Sequence, residues 1–327
     1  MQHIPVLYDT ILDLLNPKEG EVVLDMTLGL GGHAKGFLEK IGPKGKLIGL
    51  DADEGNLEEA SKALLDRASP ERSEWRGLSM PGKAGHSRRA ENVQLIHANF
   101  RDLQNLPHLL NLHTPSFDIL FADLGLSSPH LDDPKRGFSF RFEGPLDCRF
   151  DQSKGETASE LLMRADHEEI FQILSEYGEV RGARKLVEAI LRSREEHPIA
   201  TTKDLVKIVE SVFGWKAKGM LPQIFQALRI AVNDELHALK VLLEVGPTLL
   251  KVHGRMGIIS FHSLEDRLVK QAFLSLTTPD LHPLTGAPVS EPPFLLLTKK
   301  AIQANLKETT DNPRARSAKF RAIVKNH

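Results

Sequence analysis

The sequence predicts an α/β fold in which a doubly wound parallel sheet is interrupted by an inserted all-helical domain. Short apolar runs rich in β-branched residues alternate with helical patterns as far as Asp123. After Phe150 the pattern becomes purely helical, and a strand pattern returns at 255–261. The length of 327 residues is sufficient for two such units, each with its own core.

The spacing of apolar residues along the chain predicts the strands and helices of the sheet domain. Consecutive apolar residues predict buried strands, and apolar residues spaced three and four apart predict helices. The predicted order is a helix at 6–15, a strand at 21–27, a helix at 34–40, a strand at 46–51, a helix at 56–65, and strands at 93–97 and 117–123. The runs 294–298 and 319–325 predict an antiparallel pair at one edge of the sheet.

The inserted domain shows several helical patterns in succession. Asp166 and Glu169 have capping-box spacing before an apolar stripe at 170–177. Further stripes at 183–191 and 205–212 predict two more helices, the second closed by Gly214. The return to the sheet is predicted to run through a long helix over 233–243. These patterns divide the chain into a core at 1–130, a helical domain at 131–218 and the rest of the core at 219–327.

Residues 67–92 interrupt the α/β pattern. The run from Arg67 to Arg89 is rich in arginine and has too few spaced apolar residues to pack as a regular element. We therefore predict a flexible surface insertion. Its arginines could contact RNA, although a solvated loop expansion is the more frequent explanation.

The composition excludes several classes of protein. Lys+Arg 42 and Asp+Glu 44 give a net charge of -2, so a nucleic-acid partner would have to be held by local basic patches. The single cysteine, Cys148, excludes intramolecular disulfides and Cys-built metal sites, and no other residue cluster indicates a metal. No apolar run approaches the ~20 residues of a membrane span. We therefore expect a cytoplasmic protein.

A glycine-rich turn follows the first predicted strand. Its sequence, Asp25-Met-Thr-Leu-Gly-Leu-Gly-Gly-His33, lets the backbone approach a ligand closely. Gly29, Gly31 and Ala34 also satisfy the G-x-G-x-x-G/A pattern of dinucleotide-binding proteins, so an NAD-linked oxidoreductase is a competing interpretation. Asp25 favours S-adenosylmethionine, because a carboxylate at the strand end would attract its ammonium and sulfonium groups and repel a pyrophosphate.

Two further carboxylates end predicted strands. Asp51 lies about twenty residues beyond the glycine turn and can accept hydrogen bonds from a ribose diol. Asp53 is nearby but is better placed to cap the following helix. Asp123 ends the fourth strand. Because ligands of open α/β sheets bind outside the carboxyl ends of the strands, we expect Gly31, Asp51 and Asp123 to face one crevice.

Seven motifs, in order, resemble the signatures of the bacterial small-subunit rRNA methyltransferase H family. They lie at 25–33, 123–129, 136–140, 144–149, 225–235, 260–267 and 312–317, so the resemblance spans nearly the whole chain. It implies a Rossmann-like S-adenosylmethionine-dependent methyltransferase whose inserted helical domain recognises the substrate. The implied activity is methylation of the exocyclic N4 of a cytidine in the decoding region of 16S rRNA, within the small ribosomal subunit.

The resemblance also implies which residues contact S-adenosylmethionine. His130 stands where the family commonly has glutamine, and histidine can likewise donate or accept a hydrogen bond. Cys148 and Phe150 replace methionines of the family but remain apolar. The implied cofactor contacts are Gly31, Gly32, His33, Asp51, Phe100, Asp123 and His130.

The chemistry of methyl transfer indicates a catalytic role for Asp123. The N4 amine of cytosine is a poor nucleophile because it is conjugated with its ring, so a hydrogen-bond acceptor beside it should help. Asp123, or the carbonyls and hydroxyls of 124–128, would supply that acceptor; Asp123 could instead only hold the cofactor.

The target base must leave its stack, so a second surface has to hold the RNA. Exposed basic residues are the natural phosphate contacts, although each alone is more often a solvated charge. The candidates are Arg181, Arg184, Lys185, Arg192 and Arg194, then Lys216 and Lys218 beside Trp215, and Arg314, Arg316, Lys319 and Arg321.

A non-catalytic RNA-binding protein is the third interpretation, and it would tolerate loss of Gly31 and Asp51. The sequence leaves open the oligomeric state, a homodimer included. It also leaves open whether naked rRNA or an assembled subunit is the substrate.

Overall fold

The computed structural model describes residues 5–65, 74–80, 83–89, 91–110 and 116–327. These residues form two compact units. The first comprises the chain up to Gly125 and from His237 onward, and the second comprises Leu126–Leu236. Across the described segments, none of the helices combines the length and apolar character that crossing a lipid bilayer requires.

The first unit is built on one sheet, in which the described residues form nine strands. The strands are β1 Val22–Asp25, β2 Lys46–Asp51, β3 Glu74–Met80, β4 Lys83–Arg89, β5 Val93–His97, β6 Phe117–Asp123, β7 Leu250–Ser260, β8 Phe294–Leu296 and β9 Lys319–Lys325. Their order is β3-β4-β5-β2-β1-β6-β7-β9-β8. In this order, β5, β2, β1, β6 and β7 pair in parallel, whereas β9 is antiparallel to both of its neighbours, β7 and β8. The chain starts at β1 and builds outward in both directions, which is the order of a Rossmann-like sheet.

The helices are numbered along the whole chain. They are α1 Tyr8–Leu15, α2 Gly32–Ile41, α3 Glu54–Leu65, α4 Leu106–Leu109, α5 Ser128–Asp132, α6 Ala158–Arg164, α7 His167–Gln172, α8 Ala183–Glu196, α9 Thr202–Phe213, α10 Ala217–Asn233, α11 Glu235–Leu249, α12 Ser263–Thr277 and α13 Leu306–Asp311. Short 3-10 turns occupy Phe100–Asn105, Pro134–Arg136, Gly214–Lys216 and Pro313–Ser317, and a π-helical turn occupies Ile173–Tyr177.

Both faces of the central sheet are buried. Successive residues of a strand point to opposite faces. Val23 of β1 packs in a core with α1, α2 and α3, whereas Leu24 packs in a second core with α11 and α12. Ile119 and Leu120 of β6 divide between the two cores in the same way. Helices on both faces explain why the strands read as continuous apolar runs, and the prediction of a doubly wound α/β sheet is confirmed.

The hairpin of β3 and β4 corrects the prediction that residues 67–92 contain no regular element. The two strands pair antiparallel, and Ser87–Arg89 of β4 pair with β5. A sheet edge offers unpaired N–H and C=O groups, so main-chain hydrogen bonds can extend the sheet where apolar patterning gives no signal. Residues 67–73, 81, 82 and 90 of the predicted insertion lie outside the described residues.

The second unit is helical and has its own core. Leu186 and Ile190 of α8 are buried in the same cluster as Leu205 and Val209 of α9. The Asp166 carboxylate caps α7 by accepting a hydrogen bond from the Glu169 N–H at 2.8 Å, but the predicted capping box is incomplete, because the Glu169 carboxylate accepts from Arg164 instead. α9 ends at Phe213 and is followed by Gly214, as predicted.

The predicted helix over 233–243 is wrong as a single element. α10 ends at Asn233, Asp234 has a φ of 53°, and α11 begins at Glu235. A residue in the left-handed region stops an α-helix. The side chains of Arg229 and Glu235, both about one-tenth exposed, form an ion pair of 2.7 Å that spans the break.

The unit limits differ from the predicted 131–218. The predicted start falls inside α5, and the predicted end falls inside α10. Leu221, Ile224 and Leu228 of α10 are buried in the helical core, so the whole of this helix belongs to the second unit. That unit ends shortly after it, at Leu236. Helical periodicity alone could not show which core α10 joins, because its apolar stripe fits either one.

Asn233 ties the end of α10 to the segment around Cys148. Its Oδ1 accepts a hydrogen bond from the Phe150 N–H at 2.7 Å, and its Nδ2 donates to the Cys148 carbonyl at 2.7 Å and to the Arg229 carbonyl at 2.9 Å. Cys148 is fully buried and has a φ of 63°, which a non-glycine residue keeps only where its surroundings fix it. Asn233 therefore helps to fix this segment, together with Arg136, whose guanidinium donates to the Arg149 and Phe150 carbonyls at 2.8 and 2.9 Å.

We expect Asn233→Ala to lower the free energy of unfolding by about 2–4 kcal/mol, because the Cys148 carbonyl and the Phe150 N–H lose their partner. Urea denaturation followed by circular dichroism measures the change. Gln172→Ala, at an exposed position of α7, is the control and should cost less than about 0.5 kcal/mol. Equal stability of the two variants would contradict this role of Asn233.

Candidate active site

Three carboxylates end neighbouring parallel strands at the centre of the sheet. Asp25 ends β1, Asp51 ends β2 and Asp123 ends β6, and β1 lies between the other two. The strand order reverses at β1, and ligands of open α/β sheets bind outside the carboxyl ends at such a point. The structure therefore places Asp51 and Asp123 at the same edge of the sheet, as predicted.

The loop from β1 to α2 depends on glycine. Gly31 has a φ of 78° and immediately precedes α2, which begins at Gly32. A side-chain carbon on Gly31 would lie 3.1 Å from Leu64 Cδ1 and 3.5 Å from the Ala60 side chain, both in α3. Gly31 is thus required both for its backbone angle and for the close packing of the loop on α3.

Hydrogen bonds hold this glycine loop from both sides. The Gly29 N–H donates to Asp51 Oδ2 at 2.7 Å, and the Asp123 N–H donates to Thr27 Oγ1 at 2.6 Å. The loop after β1 is therefore fixed to the ends of β2 and β6. Gly31, Asp51 and Asp123 belong to one site as a consequence.

Asp51 organises its side of the site. Its Oδ1 accepts from the Asp53 N–H at 2.8 Å, and Asn56 Nδ2 lies 3.4 Å from both carboxylate oxygens. Asp53 accepts from the Gly55 N–H at 2.8 Å at the start of α3, so the prediction that Asp53 caps this helix is confirmed.

Asp25 is a buried acid with an unusual titration. Only 1% of the residue is exposed. Burial, together with the nearby Asp51 carboxylate, raises its pKa from 3.8 to about 7, although the Thr27 N–H partly counters the rise. Asp25 is thus close to half protonated at neutral pH.

Asp123 also keeps its proton to a higher pH than an ordinary carboxyl does, because its pKa is raised. Burial raises its pKa well above the usual value, and the negative charges of Asp25 and Glu265 raise it further. Its side chain keeps 24% of its accessible surface, yet Oδ1 is buried and no group among the described residues hydrogen-bonds to it. A buried carboxylate oxygen without a hydrogen-bond donor among the described residues is suited to accept a hydrogen bond from a bound ligand.

His33 links the site to the N-terminal segment. Its Nε2 lies 2.9 Å from the Val6 carbonyl, which can only accept, so Nε2 carries a proton. Its Nδ1 lies 3.6 Å from Asp123 Oδ2, and its ring centroid lies 4.8 Å from that of Phe121. His33 is buried and positioned beside Asp123 rather than exposed as a turn residue. The part of the chain that the structure describes contains no group of His, Cys, Asp and Glu that could hold a metal ion.

Phe100 follows β5 and begins a 3-10 turn. The Asn99 side chain accepts a hydrogen bond from the Arg101 N–H at 2.9 Å and so starts the turn. The Ala98 N–H donates to the Asp51 carbonyl at 3.0 Å, which joins this turn to the end of β2. Phe100 is half-buried against the core of α11 and α12.

His130 lies in the helical unit, whereas the other six implied cofactor contacts lie in the sheet unit. Its Nδ1 is 3.1 Å from the Ser127 main-chain nitrogen and 3.0 Å from Ser127 Oγ. Its ring centroid lies 5.0 Å from that of Phe138 and 5.2 Å from that of Phe150. These contacts give His130 a structural role at the start of α5.

Glu265 belongs to the motif at 260–267, but its effect on Asp123 could not be predicted from the sequence. It is 2% exposed, and its Oε2 accepts from the Phe261 N–H at 2.8 Å at the start of α12. Its Oε1 lies 3.1 Å from His262 Nε2. The charge of Glu265 raises the pKa of Asp123. Its distance from Asp123 along the chain left no local pattern to reveal this, and only the pairing of β6 with β7 brings the two together.

We expect Asp25→Asn to change the pH dependence of stability. The folded state binds the Asp25 proton more tightly than the unfolded state, so the contribution of this proton to folding is complete below about pH 4 and is lost as the pH rises to about 7. Asparagine stays neutral throughout. The unfolding free energy of Asp25→Asn should therefore gain about 2–3 kcal/mol over wild type between pH 5 and pH 8.

Urea titrations at the two pH values measure this gain, and Asp9→Asn, which removes an exposed carboxylate, is the control. A difference between Asp25→Asn and wild type that is the same at pH 5 and pH 8 would show that Asp25 does not titrate in this range.

Comparison with known proteins identifies the family. Residues 1–77 and 80–326 match the MraW methylase family. A protein of Syntrophotalea carbinolica named Ribosomal RNA small subunit methyltransferase H is 40% identical over 330 residues, covering 98% of this chain and 97% of that protein. A protein of the same name from Sorangium cellulosum is 41% identical over 324 residues, covering 98% of this chain and 90% of that protein.

Among solved structures, the chain resembles TrmN from Thermus thermophilus with a TM-score of 0.42 and 12% identity, over 98% of this chain and 48% of that one. The fold is assigned from the strand order and not from this likeness. The family match and the two relatives extend along nearly the whole chain, and the chain therefore belongs to the MraW methylase family.

Proposed function

We propose that this protein transfers a methyl group from S-adenosylmethionine to the exocyclic N4 of a cytidine in the decoding region of 16S rRNA, in the small ribosomal subunit. The family and the names of the relatives support the reaction class and the substrate. The observation that carries the proposal is the carboxylate cluster around a fixed glycine loop, with the buried Oδ1 of Asp123 directed to no group of the described chain.

The cluster fits a cationic methyl donor. Asp25, Asp51 and Asp123 concentrate negative charge at one edge of the sheet, and raised carboxyl pKa values reflect that concentration. A ligand with an ammonium and a sulfonium relieves this repulsion. We assign Asp51 to the ribose hydroxyls, since each carboxylate oxygen has two lone pairs and the contacts with Asn56 are long. The remaining proposed contacts are the main chain of Gly31 and Gly32, and His33, Phe100, Asp123 and His130.

The same cluster disfavours a dinucleotide. The G-x-G-x-x-G/A spacing alone is compatible with NAD, but a pyrophosphate placed at this loop would meet the acids Asp25, Asp51 and Asp123 at the ends of the three adjacent strands. Calorimetry with S-adenosylmethionine and with NAD separates the two interpretations. We expect binding of the first and none of the second.

Positioning is the main source of catalysis in this proposal. When bound, S-adenosylmethionine supplies an electrophilic methyl group. The chain holds the cytosine amine in line and excludes water, which can remove several kcal/mol from the barrier. The Asp123 carboxylate accepts a hydrogen bond from the amine, which weakens its conjugation with the ring and stabilises the positive charge that develops on nitrogen. His33, fixed by the Val6 carbonyl, orients Asp123.

The decisive experiment incubates the protein and radiolabelled S-adenosylmethionine with small ribosomal subunits that lack the modification, followed by digestion of the RNA and identification of the labelled nucleoside. We expect N4-methylcytidine. A parallel incubation with naked 16S rRNA identifies which form is the substrate. RNA binding without any labelled nucleoside would replace the proposal with the non-catalytic RNA-binding interpretation.

We expect Asp123→Asn to lower kcat about 100-fold or more, because the neutral amide lacks the negative charge that stabilises the positive charge developing on nitrogen, while the KM for subunits changes less than about twofold. Asp118→Asn is the matched control. Asp118 lies near the opposite end of the same strand, where its carboxylate accepts from the Val22 N–H and from Lys251, and its loss should leave kcat unchanged.

The pH profile tests the same role independently. Because the pKa of Asp123 is raised, its ionised fraction increases with pH over a range above that of ordinary carboxyls. The wild-type rate should rise with pH over that range, and the residual rate of Asp123→Asn should lack this rise. Normal turnover by Asp123→Asn would restrict Asp123 to holding the cofactor.

A further inference from the structure

Trp215 is an exposed tryptophan on a rigid turn of the helical unit. It is 88% exposed, although its large apolar surface would favour burial. It lies in the 3-10 turn Gly214–Lys216 between α9 and α10. Gly214 makes the sharp turn with a φ of 54° and a ψ of -129°, and Ala217 directly after the turn is buried. The indole is therefore presented to solvent by an ordered backbone.

Cationic side chains surround this turn. Lys216 Nζ lies 5.3 Å from the centroid of the Trp215 ring, and Lys218 is exposed in the first turn of α10. Gly182, which precedes α8, approaches the turn so closely that a side-chain carbon there would lie 3.3 Å from the Phe213 ring. The start of α8 thus adds exposed basic residues beside the same turn. They are Arg181, Arg184 and Lys185.

The balance of charge at this surface is positive. On α8, α9, the turn and the first turn of α10 there are four exposed acids and seven exposed cations: Glu188, Glu195, Glu196 and Glu210 against Arg184, Lys185, Arg192, Lys203, Lys207, Lys216 and Lys218. Apolar side chains are sparse here. Phe142 and Met163 are the other large apolar residues of the described helical unit with high exposure, and neither belongs to α8, α9 or the turn. A protein partner would need a wider apolar patch than one indole.

An isolated aromatic ring among cations is the chemistry that binds single-stranded nucleic acid. Every base presents a flat π face that stacks on an aromatic side chain, and lysine and arginine neutralise the adjoining phosphates. An indole also gives the largest stacking surface of any side chain. This chemistry is present at the Trp215 surface, where the indole is 88% exposed on a turn. The Trp215 surface comprises Trp215, Lys216, Lys218, Arg181, Arg184 and Lys185.

We propose that the Trp215 surface binds a single-stranded segment of rRNA, with one unpaired base stacked on Trp215 and the phosphates held by the lysines and arginines. This inference rests on the proposed function, because it names the part of the helical unit that contacts the RNA substrate. Trp215 is not among the residues assigned to the cofactor or to the reaction, so the proposal concerns a base other than the methylated cytidine.

Tryptophan fluorescence tests the contact without any need for methyl transfer. The chain has two tryptophans, Trp75 and Trp215, so Trp75→Phe leaves Trp215 as the single reporter. We expect a single-stranded oligoribonucleotide with the decoding-region sequence to quench this fluorescence, and the quenching to weaken as salt is raised. Absence of quenching by the oligoribonucleotide would overturn the proposal. If intact subunits quench the fluorescence and the oligoribonucleotide does not, the partner is a ribosomal protein and the proposal is also overturned.

Kinetics supply the second readout. Trp215→Ala should raise the KM for small subunits about tenfold, with kcat within about twofold of wild type, and Trp215→Phe should restore most of the affinity because it keeps a stacking ring. Phe142→Ala, which truncates another exposed aromatic of the same unit, is the matched control and should change neither constant. An unchanged KM for Trp215→Ala would overturn the proposal.

The two proposals fail separately. Quenching of Trp215 fluorescence by the oligoribonucleotide with no methylation of subunits would refute the proposed function and support the RNA surface. Methylation of subunits with no quenching and an unchanged KM would support the function and refute the surface.

Discussion

The site depends on the hydrogen bonds that fix the glycine loop between β2 and β6. The Gly29 N–H binds Asp51 Oδ2, and the Asp123 N–H binds Thr27 Oγ1. The register of three parallel strands therefore sets the position of the loop, and the packing of Gly31 on α3 completes it. A rigid sheet thus places main-chain N–H groups and carboxylates that no flexible loop could hold with the same accuracy.

The same arrangement explains the electrostatics. Strand ends that must lie side by side bring Asp25, Asp51 and Asp123 together, and burial makes their joint ionisation unfavourable. A cationic ligand reverses that balance, so binding of a cation and release of protons are linked in this site. A pyrophosphate would add to the repulsion. The charge distribution therefore favours a cationic ligand over a pyrophosphate, a distinction that the glycine spacing alone does not make.

Much of this could be predicted from sequence, because the informative signals are local. The apolar runs that end in Asp25, Asp51 and Asp123 predict both the strands and their common edge. The break at Asp234 could not be predicted, since an aspartate in the left-handed region has no distinctive neighbours. The motif at 260–267 includes Glu265, but its effect on Asp123 could not be predicted, because the two residues come together only when β7 pairs with β6. The pairing of β4 with β5 gave no signal because it depends on main-chain hydrogen bonds.

The helical unit is inserted directly after β6, the strand that ends in Asp123. The chain leaves β6 at Asp123, passes Gly125, whose φ of 100° only glycine adopts readily, and enters the helical unit at Leu126. Loops at the carboxyl ends of the strands are where an α/β fold accepts new segments without loss of its core. The helical unit brings a separate core, so its surface can vary while the register that fixes the glycine loop stays intact. The fold thereby leaves the glycine loop and the three carboxylates on the sheet unit, whose core does not depend on the surface of the helical unit.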